Sequence, residues 1–191
     1  MYTYRYNASV AAGVQTPDLA LTNAGGIRAT IDDGPVTRGE VLTSFPFGNA
    51  IVEVQLSGQK LWDAIEGIFA RVNKHNGVAV TSFLQVSHTA KIVYQPNTSP
   101  AVGTGKLVSI HINGEPLDME RVYKIVTLDF LATGGDNFFL AEDFTGELIT
   151  LDTLDEVVVN YVKAETPIDI AIDGRIAVGS KCQRRKKNKK Q

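Results

Sequence analysis

Two glycine pairs carry the side chains best able to grip a ligand. Asn23-Ala24-Gly25-Gly26-Ile27-Arg28 sets an amide and a guanidinium five residues apart across one pair. Phe130-Leu131-Ala132-Thr133-Gly134-Gly135-Asp136 sets an aromatic face and a carboxylate six apart across the other. Glycine lets the main chain turn where a side chain would clash, so each stretch can bring its two ends together. Arginine offers a forked, charge-assisted contact to an anion, whereas aspartate accepts hydrogen bonds from neutral hydroxyls. A third stretch, Phe45-Pro46-Phe47-Gly48-Asn49, adds an aromatic on a loop constrained by proline and glycine. A planar ring can then be held between Phe47 and Phe130, and the three stretches together suit an anionic, aromatic ligand. Singly they say little, because glycine pairs, buried phenylalanines and capping aspartates are all common in structural roles.

The elements that must position these residues are read from periodicity. Leu61, Ile65, Ile68, Phe69 and Val72 share one helical face, with Ser57 placed to cap the start and Asn76-Gly77 to end the helix. Trp62 and Phe69 on that helix are read as core. Leu154, Val157, Val158, Tyr161 and Val162 mark a second helix, capped by Asp152 or Thr153 and stopped before Pro167. Ile51 to Leu56, Lys91 to Tyr94 and Ile176 to Val178 read as strands. Val108 to Ile112 alternates into the turn signal Asn113-Gly114, and Arg121 to Leu128 is expected to return as its hairpin partner, with His111 on the polar face. The expected fold is a mixed α/β domain whose sheets are covered by helices.

In this order and spacing the motifs resemble the C-terminal domain of the 5'-nucleotidase family. Its members are two-domain metallophosphoesterases that include bacterial UDP-sugar hydrolases and animal ecto-5'-nucleotidases. The resemblance runs from the first glycine turn through the Phe45 to Asn49 loop, the Leu61 to Val72 helix, Phe83-Leu84-Gln85-Val86 and the second glycine turn to Gly174-Arg175-Ile176. It implies a substrate-binding domain over residues 1–180, of the mixed-sheet type found in that family. By the same resemblance Phe47 and Phe130 stack on a nucleobase, Asp136 binds the ribose hydroxyls and Arg28 helps hold the phosphate. Asn23 is implied as a polar substrate contact, and Gly25, Gly26, Gly134 and Gly135 as supports. Ala24 stands where relatives often have Gly or Ser.

The resemblance also implies what lies elsewhere. Family members keep a divalent metal site, zinc or similar, and a catalytic histidine in an N-terminal domain, so no catalytic residue, metal ligand or cofactor is expected here. His75, His88 and His111 lie 13 and 23 residues apart with no carboxylate at ligand-like spacing. A second phosphate-binding arginine is expected upstream, with Met1 to Tyr6 reading as the end of a helix and Arg5 left open as a substitute contact. The implied partners are a nucleoside monophosphate or related nucleotide and the N-terminal domain of the same protein. No nucleic acid is expected; some animal members dimerise through this domain, and the resemblance leaves a homodimer open. The implied location is extracellular, cell-surface or periplasmic. The alternative reading is a stand-alone nucleotide-binding or interaction module without hydrolase activity.

Composition fits one globular domain: 191 residues, 43% hydrophobic and 21% charged. No apolar run is long enough to span a bilayer, and the tyrosines and Arg5 at the start do not form the apolar centre of an export signal. Of the 19 basic residues seven fall in Lys181 to Gln191, which leaves 12 against 21 acidic residues and a balance of about −9 for the rest. That tail reads as an unstructured end rather than a targeting or nucleic-acid segment. Its Cys182, the only cysteine, has basic neighbours that favour the thiolate but no histidine near it. Asn7-Ala8-Ser9 and Asn97-Thr98-Ser99 match glycosylation sequons compatible with secretion. Without metal ligands, the isolated chain should release no phosphate from AMP in zinc or manganese; chelator-sensitive release by pure protein would overturn that expectation.

Overall fold

The structure, a computed structural model, describes residues 1–99 and 103–179. The basic tail, Cys182 and Pro100 lie outside the described residues. In chain order the elements are α1 (Tyr2–Ala12), β1 (Leu19–Asn23), α2 (Arg38–Ser44), β2 (Ala50–Ser57), α3 (Gly58–Ala70), β3 (Leu84–Val86) and β4 (Ala90–Pro96). There follow β5 (Gly105–Ile112), β6 (Glu115–Pro116), β7 (Val122–Leu128), α4 (Asp129–Ala132), β8 (Thr145–Thr153), α5 (Leu154–Glu165) and β9 (Ile176–Val178).

Ile125, Val126, Thr127 and Leu128 are all buried, on both faces of β7. A strand of that kind needs a neighbour on each side and cover above and below. It finds them in the middle of a five-stranded mixed sheet ordered β3-β1-β7-β2-β8, parallel to β1 and antiparallel to β2. A second sheet is ordered β6-β5-β4-β9. Along β1, β2 and β7 the buried residues alternate between two cores, as the two-residue period of a strand requires. Leu19, Leu21, Val52, Val54 and Ile125 join α3 and the second sheet in the larger core, whereas Ala20, Ile51, Val126 and Leu128 pack against Val157 of α5 and Tyr2 and Tyr4 of α1. The layers are therefore α1 with α5, the five-stranded sheet, α3, and the four-stranded sheet.

Helix α3 holds the middle. Leu61, Ile65, Ile68 and Phe69 have no exposed surface, and each contributes about 1.5–3 kcal/mol of apolar burial, more than any cap supplies. Ser57 caps its start by accepting from Lys60 N–H, but its end comes before the expected Asn76-Gly77. The helix stops at Ala70, where Arg71 takes a left-handed φ of 62° and donates its N–H to the Gly67 and Ile68 carbonyls. Gly77, φ 71°, instead serves the following loop.

The expected hairpin is also corrected. Asn113 and Gly114 do turn, both at positive φ, but the returning strand is only Glu115–Pro116. Pro116 has no N–H with which to continue the ladder, and the doubly apolar β7 is drawn to the other sheet. His111 is half-buried, opposite Lys91 on β4.

Arg5 does not stand free as a substitute phosphate contact. Its Nε donates to the buried Glu53 of β2 at 2.6 Å, and Lys124 Nζ lies 3.4 Å from the other carboxylate oxygen. The hydrogen bond to Glu53 raises the guanidinium further above its ordinary pKa. Among the described residues no helix is long and apolar enough to cross a membrane. Arg5→Ala should lower stability by about 2 kcal/mol in chemical denaturation, less than the roughly 3–5 kcal/mol of a fully orphaned buried charge because Lys124 remains. An unchanged midpoint would show that Lys124 alone satisfies Glu53.

Candidate functional site

Strand directions gather the motifs. Because β1 is parallel and β2 antiparallel to β7, the end of β1, the end of β7 and the start of β2 lie along one edge of the sheet. Leu84, which begins β3, pairs with Asn23 at that edge too. The two glycine turns, the Phe45 to Asn49 loop and the residues before β3 therefore meet at the carboxyl ends of β1 and β7, where open α/β sheets bind ligands.

The first turn is a 3-10 turn, Ala24–Gly26, clamped to the segment before β3. Ala24 N–H donates to the Phe83 carbonyl at 2.7 Å and Gly25 N–H to Ser82 Oγ at 2.9 Å. Neither glycine takes a positive φ; what they provide is room. A Cβ on Gly25 would stand 3.1 Å from Ser82 Oγ, and one on Gly26 3.0 Å from Asn23 Oδ1. Arg28 leaves this turn exposed, with its main chain bound to Ser44 at the end of α2. Its Nη1 donates to the Gly25 carbonyl at 3.2 Å, its Cζ lies 5.9 Å from the centre of the Phe47 ring, and no carboxylate pairs with it among the described residues.

The second turn does use unusual dihedrals. Gly134 has φ 97°, and Asp136 and Asn137 both take left-handed values near 55°. Gly135 gives space again, since a Cβ there would meet the Phe130 ring at 2.5 Å. Half-buried Asp136 touches Asn23, 113 residues away, whose Nδ2 donates to Asp136 Oδ2 at 2.6 Å. Asn23 is itself buried, and its Oδ1 has no hydrogen-bond partner.

Phe47 and Phe130 are 59% and 42% exposed, which takes both out of the core. Among the described residues neither stacks on another ring, and a polar tie connects their supports. Asn49 Nδ2 donates at 3.0 Å to Asp129 Oδ1, which also accepts from Phe130 N–H at 2.7 Å. The structure thus brings Asn23 to Asp136 and Arg28 to Phe47, and links the two aromatic loops. Sequence reasoning missed the fasteners Asn49, Asp129, Thr81, Ser82 and Ser44. Asn49 stood inside a recognised motif, but Thr81-Ser82 is an ordinary polar pair before a strand and carried no signal.

Histidines stay apart. His75 lies 4.0 Å from Asp63 and 3.9 Å from Asp143, which Lys60 already holds at 2.7 Å; spacing alone had hidden those carboxylates. His88 meets Tyr2 edge-on. Among the described residues no three His, Cys, Asp or Glu side chains form a group that could hold a metal, so no step through a metal is derived for this domain.

Comparison with known proteins fits this architecture. Residues 4–142 match the family described as 5'-nucleotidase, C-terminal domain, and the chain belongs to that family. It is 35% identical over 186 residues to an apyrase of Tabanus yao, covering 93% of this chain and 33% of that protein. Protein UshA of Escherichia coli is 32% identical over 155 residues, covering 81% and 26%. The crystal structure of a 5'-nucleotidase precursor from Thermus thermophilus superposes with a TM-score of 0.75 at 30% identity, over 93% of this chain and 34% of that one. The chain thus spans about a third or less of the length of these relatives.

Helix α2 supports Arg28 and is closed by a capping box, in which Glu40 accepts from the Thr37 hydroxyl and N–H and Thr37 Oγ1 accepts from Glu40 N–H. Those two donors hold the Glu40 carboxyl below its ordinary pKa of 4.5. A lowered folded-state pKa contributes stability above the unfolded value and loses it as pH falls through the folded one. Glu40→Gln keeps an acceptor but not the charge, so its thermal midpoint should lie below that of the parent at about pH 7, and the gap should close as pH falls below the ordinary value of 4.5. A constant gap across that range would mean the charge adds nothing.

Proposed function

We propose that this chain is the substrate-specificity domain of a metal-dependent 5'-nucleotidase, which grips the nucleoside part of a nucleotide while an N-terminal metallophosphoesterase domain supplies metals and cleavage. One observation carries the reading most. Two aromatic rings with large exposed faces, Phe47 on a loop and Phe130 on the short helix α4, have supports tied by Asn49 and Asp129, at the sheet edge where Asp136 also emerges with Arg28, which has no carboxylate partner among the described residues. Exposed aromatic faces are costly to leave in water and suit stacking on a base.

Each residue then has a task. Phe47 and Phe130 sandwich the nucleobase. Asp136, held as a pure acceptor, takes the ribose hydroxyls, and Asn23 holds Asp136. Arg28, fixed at its main chain and with one guanidinium nitrogen on the Gly25 carbonyl, turns its remaining donors to the phosphate. The family supports a hydrolase of nucleoside phosphates for the whole protein and a location outside the cytoplasm. The isolated domain binds but does not cleave.

NMR titration with AMP, adenosine and 2',3'-dideoxyadenosine tests these roles. Phe47→Ala or Phe130→Ala should weaken all three ligands about 5- to 150-fold. Arg28→Ala should weaken AMP alone. Asp136→Ala should weaken AMP and adenosine but spare the dideoxy analogue. Equal losses of AMP and adenosine in folded Arg28→Ala would reassign Arg28 to support of the glycine turn. Unchanged affinity in the double Phe variant would remove both rings from the site.

A further inference from the structure

Asp136 and Asn137 are two successive non-glycine residues in the left-handed region, at φ 54° and 57°. Such a pair persists only where its surroundings hold it. The holding comes from one segment, the connection between α3 and β3. Asn73 Nδ2 donates to the Asn137 carbonyl at 2.9 Å, and Asn137 Nδ2 donates to the Ala79 carbonyl at 2.8 Å. Thr81 N–H donates to the Asp136 carbonyl at 3.3 Å, and Thr81 Oγ1 donates to Asp136 Oδ1 at 2.7 Å. The next residue, Ser82, accepts from Gly25 N–H, so the same short stretch braces both glycine turns.

We infer that Thr81 is a positioning residue that, through its hydroxyl, sets the preference of the site for a vicinal diol. The inference rests on the reading that Asp136 meets the ribose. A carboxylate oxygen has two acceptor positions. Asn23 fills one on Oδ2 and Thr81 one on Oδ1, so each oxygen keeps one position. Two single acceptors on one rigid carboxylate match the two hydroxyls of a cis-diol and leave one unused with a single hydroxyl. Without Thr81 the Asp136 side chain can turn about its Cα–Cβ bond, and the match is lost. Thr81 is exposed and outside both hydrophobic cores, so this bond, not packing, is what its side chain adds.

Thr81→Val keeps the shape and the backbone bond but removes the hydroxyl donor, and Thr81→Ser restores it. In titrations of the full chain, Thr81→Val should weaken adenosine about tenfold, as expected for loss of a hydrogen bond to a charged group, and change 2',3'-dideoxyadenosine less than about twofold. Thr81→Ser should return adenosine to within about threefold of the parent. In an Asp136→Ala background, Thr81→Val should have no further effect, since it acts through that carboxylate. Equal weakening of both nucleosides, or an undiminished loss in the Asp136→Ala background, would overturn the proposal. A readout without ligand separates it from the functional reading. Three-bond Hα–Hβ couplings of Asp136 should report one rotamer in the parent and Thr81→Ser, and averaging in Thr81→Val. A single rotamer in all three overturns the positioning role; averaging in Thr81→Val with no nucleoside binding by the parent upholds it and overturns only the ribose assignment.

Discussion

The site depends on the placement of one strand. β7 must be buried on both faces, and the sheet satisfies it by setting β1 parallel on one side and β2 antiparallel on the other. This choice determines which chain ends share an edge. Had β7 instead paired with β5 after the Asn113-Gly114 turn, Phe130 and Asp136 would have emerged from the second sheet, on the far side of α3 from Asn23. The ligand motifs are neighbours because apolar burial of β7 outweighs the local hairpin signal, not because they are close in sequence.

At that edge the glycines serve two different ends. Gly134 provides a positive φ, whereas Gly25, Gly26 and Gly135 provide space for close approach by Ser82, Asn23 and the Phe130 ring. Around them side chains with ordinary roles act as fasteners. Asn49 and Asp129 join the aromatic loops, Ser44 holds the main chain of Arg28, and Thr81 with Asn23 holds Asp136. A binding edge built from loops gains rigidity in this way without extra core.

Legibility in the sequence followed the range of the physics. Periodicity reveals an element wherever its own residues determine it: the α3 stripe as far as Phe69, its Ser57 cap, the existence of α5 and strands β2, β4 and β9 were readable, whereas the α5 face missed buried Val159 and included exposed Tyr161. Partners are chosen by whole-sheet burial, which is why β7 was assigned to the wrong neighbour. The end of α3 was misplaced because Arg71, not a glycine, takes the left-handed cap. At the site, the motif residues were legible from their joint order through the family resemblance, and the exposure of Phe47 and Phe130 separates them from the core phenylalanines Phe69, Phe138 and Phe139. Arg5 stayed open as a contact because an arginine's type does not reveal that a buried Glu53 awaits it. Thr81 and Ser82 stayed invisible because a hydroxyl that braces a loop looks like any surface hydroxyl until the loop is in place.

The bond between Asn23 and Asp136 joins residues 113 apart, with β2, α3, β4, β5 and β7 strung between them. The β1–β7 pairing, Leu19 with Ile125, spans nearly the same length of chain, so this bond shares its loop-closure cost with the sheet itself. A candidate site held by such a contact is complete only when β1 and the turn after β7 are both in place. A ligand that bound across that contact would therefore draw the whole ensemble toward the native state rather than steady one loop.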